Sequence, residues 1–319
     1  MQNHTTAAFN VLNAGALSLL QDLGRYGHAN LGLTSGGAAD KQAFAWANRL
    51  VNNPDNACCI EITLGGLELA CLNDSCIAIT GAEQNVSLNQ QPIKTWQSYR
   101  IKRGDILKFG FAQHGCRAYL AIHGGFAAPL VLGSRSTVCR EAIGGLTQGQ
   151  SLQTSQTLAV NRPSASVMPL QAVPQEAIPS YKRHLVIRLV LGYQYQAFSQ
   201  AAIKQFFAQT YHVSQQADRM GYRLTGEPIK HDIENLYSEG ISFGAVQIPL
   251  DGQPIVLGPD RQTIGGYPKI GSVLSIDMDK IMQATTGCTI QFCSVSLDNA
   301  QHLIQLAQQR FKQTQLIQL

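Results

Sequence analysis

Short hydrophobic runs bounded by glycine, asparagine or proline recur along the chain. Such runs predict β-strands, because the flanking residues turn the chain and the apolar residues suit a partly buried sheet. The clearest are FNVLNA, CIEITL, SCIAIT, DILKFGF, AYLAIHG, LVIRLVL, QPIVLG, SVLSI and TIQFCSV. They do not alternate regularly with helical segments, which disfavours a doubly wound α/β sheet. The pattern therefore predicts a mostly β fold with a few helices, arranged as paired β-barrels.

Helical periodicity is clear in three segments. Residues 40–51 place apolar side chains on one face, with Asp40 as a predicted N-cap. Residues 199–208 begin in the same manner at Ser199. The last segment, residues 298–311, repeats apolar residues at helical spacing. We predict one helix over each segment.

A proline-rich seam lies near the middle of the chain. Residues 161–183 contain four of the twelve prolines, spaced five or six residues apart. Repeated proline blocks both helix interiors and central-strand pairing, so this segment is predicted to be an extended connector. The predicted organisation is a first domain over 1–160, the connector over 161–183 and a second domain over 184–319.

The two halves also echo each other at a constant offset. Three pairs of landmarks are each 178 positions apart, namely Asp40 and Asp218, Glu61 and Glu239, and Ile79 and Leu257. A constant offset that preserves two acidic residues indicates an ancient duplication. We therefore expect the two domains to be related in structure.

Composition narrows the function classes. At 319 residues the chain is long enough for two domains with separate cores. The charged fraction of 14% is low, which indicates either a surface covered by a partner or replacement of charge by Gln and Asn. The net charge of +4 is scattered, so neither nucleic acid nor membrane is an expected partner. No signal peptide or bilayer-length apolar run is visible, and we expect a cytoplasmic protein.

The eight cysteines have no spacing that points to chemistry. None forms a C-x-x-C pair, and no Cys or His pattern suits zinc. Several lie in apolar, strand-like runs, so we expect buried reduced thiols and no metal site.

Residues 238–271 combine acidic, basic and amide side chains with seven glycines. Glycine lets the backbone bend and approach a ligand, and the polar side chains suit small polar groups, so this segment is predicted to form a binding or reaction site. It includes a G-x-S-x-G pattern around Ser242, but a strand-like run follows, and we expect a turn rather than a nucleophile. No standard phosphate-binding loop occurs in the chain; other modes of nucleotide contact remain open.

Two further groups of polar residues have open interpretations. Ser134 and Arg135 lie in a run of hydroxyl residues, where an arginine fork suits a carboxylate or phosphate, or else bridges backbone carbonyls in a structural loop. Asp218, Arg219 and Glu239 resemble an acid–base set. An arginine neighbour favours the ionised form of a carboxylate, so a structural salt bridge is the competing interpretation.

Seven ordered stretches together resemble the biotin-dependent carboxyltransferase-type family. They are SLLQDLGRYG, GGAADKQAFAWANRLV, IEITLGGLEL, ITGA, AYLAIHGGF with LGSRST, ADRMGYRLTG, and SEGISFGAVQIP with DRQTIGGYP. This family includes the C subunit of bacterial ATP-dependent 5-oxoprolinase, the carboxyltransferase domain of urea carboxylase, and proteins labelled allophanate hydrolase subunit 2 or kinase-inhibitor antagonist.

The resemblance implies two cyclophilin-like β-barrel domains in a cytoplasmic, multi-subunit hydrolase. With partner subunits A and B, such a protein opens the lactam of 5-oxo-L-proline to L-glutamate at the expense of ATP, and which subunit binds ATP stays open. Under this interpretation Asp218, Arg219 and Glu239 are the expected catalytic residues, and Asp218 and Glu239 orient the lactam or move its proton. The expected substrate- or phosphate-binding residues are Ser134, Arg135, Asp260, Arg261, Gln262, Thr263, Gly265, Gly266, Tyr267 and Lys269.

Two other functions are compatible with the same family. One is a carboxyltransferase that moves CO2 from biotin to urea or another amide. The Met278–Lys280 run lacks the setting of a biotinylated lysine, so a separate carrier would be needed. The other is a non-catalytic partner that regulates a kinase inhibitor.

Overall fold

Strands dominate the computed structural model, which describes residues 5–161, 168–231 and 236–319. The chain divides into two compact units. The first contains Met1–Arg25, Gly36–Ser180 and Thr314–Leu319, and the second contains Tyr26–Ser35 and Tyr181–Gln313. The segment Tyr26–Ser35 thus belongs to the second unit although it lies early in the sequence, which no feature of its composition indicated.

The strands of the described residues follow one another at short intervals. In chain order they are β1 (Thr5–Ala14), β2 (Leu17–Gln21), β3 (Cys59–Thr63), β4 (Leu67–Cys71), β5 (Ser75–Glu83), β6 (Ser87–Leu88), β7 (Gln91–Pro92), β8 (Gln97–Ile101), β9 (Ile106–Lys108), β10 (His114–Ile122), β11 (Thr157–Asn161), β12 (Gln171–Ala172), β13 (His184–Leu191), β14 (Tyr211–Ala217), β15 (Gly221–Thr225), β16 (Glu239–Gly240), β17 (Ala245–Gln247), β18 (Ile255–Leu257), β19 (Ile264–Gly265), β20 (Lys269–Val273), β21 (Thr289–Ser294) and β22 (Ile317–Gln318). The predicted mostly β fold is confirmed.

The first unit contains two sheets around one core. One sheet has the order β11-β1-β4-β9-β6-β7 and the other the order β2-β3-β10-β5-β8-β12-β22. Buried side chains of both sheets, including Phe9, Leu69, Ile79 and Leu120, form a single hydrophobic cluster. Burial of this apolar surface is the main stabilising contribution of the unit.

The second unit is a closed barrel with the strand order β13-β20-β17-β18-β15-β14-β21. It closes through the parallel pair of β13 and β21, in which Ile187 is aligned with Phe292. Strands β16 and β19 form a separate two-stranded ribbon, and both lie within the polar, glycine-rich segment 238–271 identified from the sequence.

Four helices lie among the described residues. They are α1 (Lys41–Leu50), α2 (Gln200–Ala208), α3 (Ser275–Met282) and α4 (Leu297–Gln313). Asp40 accepts a hydrogen bond from the Ala43 amide at 2.9 Å, and Ser199 accepts one from the Ala202 amide at 3.1 Å, so both predicted N-caps are confirmed. No described helix is both long and apolar enough to cross a bilayer.

Helix α3 replaces the second half of the strand predicted over SVLSI. The strand ends at Val273 and the helix begins at Ser275. Asp277, in the first helical turn, accepts hydrogen bonds from the Arg188 backbone amide at 3.0 Å and from its guanidinium at 2.7 Å. A carboxylate near a helix N-terminus is favourable, and this contact with a distant strand favours a helix where the local apolar pattern favoured a strand.

Candidate functional site

The ribbon of β16 and β19 places the candidate residues beside one another in the second unit. Glu239 pairs with Gly265, and Gly240 pairs with Ile264. The pairing continues through the Ile241 amide, which donates to the Thr263 carbonyl at 3.0 Å. The predicted residues 263–265 are therefore brought directly alongside Glu239.

Glu239 is the centre of a hydrogen-bonded network. Its carboxylate forms an ion pair with Lys269 and accepts a hydrogen bond from the Tyr193 hydroxyl. The Gln194 side chain donates to the same carboxylate at 2.6 Å and accepts from the Lys269 backbone amide at 2.8 Å. Lys269 also donates through Nζ to the Gly240 carbonyl at 3.2 Å. These contacts hold the carboxylate of Glu239 on the ribbon and the amine of Lys269 on barrel strand β20 in one arrangement.

The network fixes the charge of the carboxylate. The hydrogen bond from Lys269, followed by that from Tyr193, lowers the pKa of Glu239, while burial acts in the opposite direction. The hydrogen bond that Tyr193 donates to this carboxylate in turn raises the pKa of the tyrosine. The Glu239 side chain remains 33% exposed and that of Lys269 13% exposed, so a small ligand has access to an ionised acceptor.

Arg219 pairs with Asp260, while the sequence had suggested a pairing with Asp218. Two guanidinium nitrogens of Arg219 donate to the two Asp260 oxygens at 2.8 Å, and both side chains are buried. The Asp260 amide also donates to the Arg219 carbonyl at 2.9 Å. This pair ties the loop that carries Asp260 to the turn before β15. Asp218 is exposed, and its carboxylate accepts from the amides of Met220 at 2.7 Å and Gly221 at 3.2 Å.

Arg261 is hydrogen-bonded to the residue that follows β16. It donates through Nε to the Ile241 carbonyl at 3.1 Å and through Nη1 to the Ser35 hydroxyl at 3.4 Å. Burial lowers the pKa of Arg261. Thr34, next to Ser35, donates through its hydroxyl to the Pro259 carbonyl at 2.9 Å. The early segment Tyr26–Ser35 therefore stabilises the loop that carries Arg261.

Ser134 and Arg135 belong to the first unit. The Ser134 hydroxyl donates to Asp22 at 2.6 Å, and the Arg135 amide donates to the same carboxylate at 2.7 Å. Arg25 rather than Arg135 bonds backbone carbonyls, with Nε 3.1 Å from the oxygen of Val131. Ser134 is therefore engaged in the fold of its loop. The Nε atom of Arg135 is buried and has no hydrogen-bond partner among the described residues.

The remaining predicted residues line the loop after β18 and the ribbon. Gln262 and Tyr267 are exposed. A Cβ atom on Gly266 would lie 3.2 Å from the Leu236 carbonyl oxygen, so this glycine permits a close backbone approach. Ser242 lies exposed in a turn before β17, with no helix after it, as the sequence predicted.

Sequence reasoning did not identify Tyr193, Gln194 or Ser35. Tyr193 and Gln194 follow directly after β13, about 45 positions before Glu239 in the chain. Their only local signal is a glycine followed by polar and aromatic residues at the end of a hydrophobic strand. Ser35 has no local signal, because its role depends on the segment joining the second unit.

Fold and site together define a mostly β protein of two units, in which Glu239 lies on a glycine-rich ribbon and is paired with Lys269 of the closed barrel. Residues 31–294 match the family described as carboxyltransferase domain, subdomain A and B. The chain belongs to this family, which confirms the resemblance found in its sequence.

Relatives of two kinds cover nearly the whole chain. The 5-oxoprolinase C subunit of Haemophilus influenzae is 36% identical over 92% of this chain and 93% of its own length. The 5-oxoprolinase C subunit of Escherichia coli is 37% identical over 95% of this chain and 96% of its own length. The crystal structure of Kluyveromyces lactis urea amidolyase aligns with a TM-score of 0.91 and 31% identity. That alignment covers 98% of this chain, which spans only 20% of the urea amidolyase chain.

Proposed function

We propose that the chain is the C subunit of an ATP-dependent 5-oxoprolinase and that the ribbon residue Glu239, together with Lys269 of β20, holds the lactam. Relatives with this name match over more than nine tenths of both chains. The observation that carries the proposal is the ionised Glu239 carboxylate, held by Lys269, Tyr193 and Gln194 yet still partly exposed. A five-membered lactam presents an N–H group that can donate a hydrogen bond to such a carboxylate.

The chemistry of the proposed reaction requires activation of a stable amide. The lactam oxygen attacks the γ-phosphate of ATP and ADP leaves; water then attacks the ring carbon, and the C–N bond breaks as the ring nitrogen takes a proton. A second water hydrolyses the resulting acyl phosphate, which releases phosphate and leaves the free carboxylate of glutamate. In this scheme Glu239 orients the ring by accepting a hydrogen bond from the lactam N–H group. Lys269 and Arg261 stabilise negative charge on the carboxylate or the activated oxygen.

We assign the lactam rather than the triphosphate to the ribbon. Lys269 already donates to Glu239 and to the Gly240 carbonyl, and Arg261 already donates to Ile241 and Ser35. Binding of a triphosphate would have to compete with these contacts, whereas a single carboxylate needs only one donor. The proposal therefore places most of the ATP contacts on the partner subunits A and B.

A reconstituted complex of subunits A and B with this chain tests the proposal. We expect ATP-dependent release of glutamate from 5-oxo-L-proline that requires this chain and falls at least 100-fold in Glu239→Gln, the loss typical of a general base or an oriented charge. Arg261→Ala is expected to raise KM. Matched controls in the same unit are Glu227→Gln and Arg183→Ala, whose side chains are exposed. Near-normal turnover in both site variants would refute the site, and absence of turnover in the wild-type complex would refute the function.

The carboxyltransferase is a second candidate because the matched family and the urea amidolyase structure both favour it. In that case the ribbon would hold urea or another amide next to carboxybiotin on a separate carrier. Transfer of labelled carboxylate from biotin to urea, without ATP-dependent glutamate release, would favour this function. Unchanged glutamate release when the chain is omitted would favour the regulatory role.

A further inference from the structure

Gln247 carries a buried amide that the fold itself leaves unsatisfied. It is the last residue of β17 and is 4% exposed. Its Nε2 atom has no hydrogen-bond partner among the described residues. Most buried side-chain amides in proteins are hydrogen-bonded, because an unpaired buried donor destabilises the fold. An unpaired amide in a barrel strand therefore calls for a functional explanation.

The position of this amide links it to the ribbon. The backbone of Gln247 is paired with Lys269 in the barrel ladder. Its Nε2 atom lies 3.0 Å from the point that a Cβ atom on Gly265 would occupy. Gly265 is in turn the cross-strand partner of Glu239. The amide nitrogen thus lies against the ribbon residue that pairs with Glu239, and it belongs to the residue that pairs with Lys269.

Gly265 is required for space rather than for backbone conformation. Its φ angle is outside the left-handed region that favours glycine. A Cβ atom here would approach both Gln247 Nε2 and the side chain of Ile241, at 3.0 Å and 3.3 Å. The absence of a side chain at position 265 therefore lets the backbone of the ribbon lie directly against the Gln247 amide.

We propose that Gln247 is a specificity residue whose Nε2 donates a hydrogen bond to the carbonyl oxygen of the substrate held at Glu239. This inference rests on the proposed function. A five-membered lactam holds its N–H and C=O groups cis, on one edge of the ring. A carboxylate that accepts from the N–H and an amide that donates to the oxygen are complementary to that edge. The amide nitrogen is covered in the structure, so binding requires the short ribbon to shift at Gly265.

Two inhibitors that differ only in the carbonyl oxygen isolate this contact. They are 3-oxocyclopentane-1-carboxylate, which keeps the oxygen at the ring position of 5-oxoproline, and cyclopentane-1-carboxylate, which lacks it. Their inhibition constants are measured against glutamate release by the complete complex. We expect the wild-type complex to prefer the ketone by roughly 2- to 10-fold, the range for one net hydrogen bond. Gln247→Met is expected to abolish this preference.

Measurements of melting temperature and KM together separate the proposed role of Gln247 from a purely structural one. Because Gln247→Met removes an unsatisfied buried amide, we expect it to keep or raise the melting temperature while it raises KM for 5-oxo-L-proline. Gly265→Ala is expected to weaken inhibition by the ketone in the same way, since the added methyl group faces the amide. Gln291→Met, on the exposed side of β21, is the matched control and should leave both inhibition constants unchanged.

The outcomes separate this inference from the proposed function. If the wild-type complex releases glutamate but Gln247→Met retains the full preference for the ketone, the role of Gln247 is refuted and the proposed function stands. If the wild-type complex releases no glutamate from 5-oxo-L-proline, the proposed function fails and the inference fails with it.

Discussion

The buried pair of Arg219 and Asp260 allows a quantitative test of whether these residues support the site or take part in its chemistry. Their side chains are 6% and 7% exposed, and two hydrogen bonds of 2.8 Å join them. Removal of one partner of a buried pair leaves an uncompensated charge, which costs about 3–5 kcal/mol. We therefore expect Arg219→Met and Asp260→Asn each to destabilise the second unit by about this amount.

The expected shift in melting temperature follows from the size of the unit. In a unit of this length, 1 kcal/mol corresponds to roughly 2–4 °C, so each single variant should melt about 6–20 °C lower. The double variant Arg219→Met with Asp260→Leu removes both charges, and replacement of a buried pair by apolar residues is often neutral. We expect it to be more stable than either single variant.

The two tryptophans provide an internal reference for this experiment. Trp46 and Trp96 both lie in the first unit, so their fluorescence reports the unfolding of that unit. Calorimetry and far-UV circular dichroism report both units. We expect the calorimetric transition of the second unit to move in the single variants and the tryptophan transition to move less. The reasoning is wrong if the single variants melt like the wild type, or if the double variant is as unstable as the sum of the singles.

Three further predictions concern the site, a helix cap and the thiols. Lys269→Met removes the largest cause of the lowered pKa of Glu239, so the acidic limb of the pH–rate profile should move to higher pH and disappear when Glu239→Gln is added. Because the lowered pKa stabilises the fold above the unfolded-state value and this contribution is lost as pH falls through the folded value, the stability advantage of the wild type over Lys269→Met should disappear at low pH. Ser199→Ala removes the cap of α2 and should cost about 1 kcal/mol in urea unfolding, whereas Ser199→Asp should not. Cys139 is exposed and should react rapidly with a disulfide reagent at pH 8, whereas burial raises the pKa of Cys71 to about 12 and should make it react only on unfolding.

Local features of the sequence were sufficient for the elements that depend on local physics. Asp40 and Ser199 were recognised as N-caps because the capping residue and the apolar periodicity stand next to each other in the chain. The polar segment that contains Glu239 and Lys269 was recognised because its glycines and charges are contiguous. Interactions that join distant segments had no comparable signal.

Gln247 shows why a residue buried in a strand escapes sequence reasoning. It lies in the run AVQIPL, where a single amide among apolar residues is typical of a strand with one polar face. Its interest arises only from two structural facts, namely that its nitrogen is buried without a partner among the described residues and that it faces Gly265. Neither fact can be inferred from spacing along the chain.

The two glutamates related by the offset of 178 positions differ in how accessible their carboxylates are to a ligand. Glu61 accepts a hydrogen bond from the Tyr119 hydroxyl at 2.7 Å and lies 3.6 Å from Arg117, and its side chain is completely buried. Glu239 has the same kinds of partner, a tyrosine and a base, but lies on a ribbon edge with a third of its side chain exposed.

Burial decides what each glutamate can do together with its tyrosine and basic partner. A glutamate enclosed in the core can only stabilise its own unit, because a ligand cannot reach it without unfolding the surrounding sheet. The same residue types at an exposed ribbon can be reached by a small molecule without unfolding of the sheet. We expect Glu61→Gln to lower the melting temperature of the first unit without changing KM, and Glu239→Gln to reduce turnover with little change in melting temperature. The opposite assignment of the two effects would contradict this division between a structural and a functional copy.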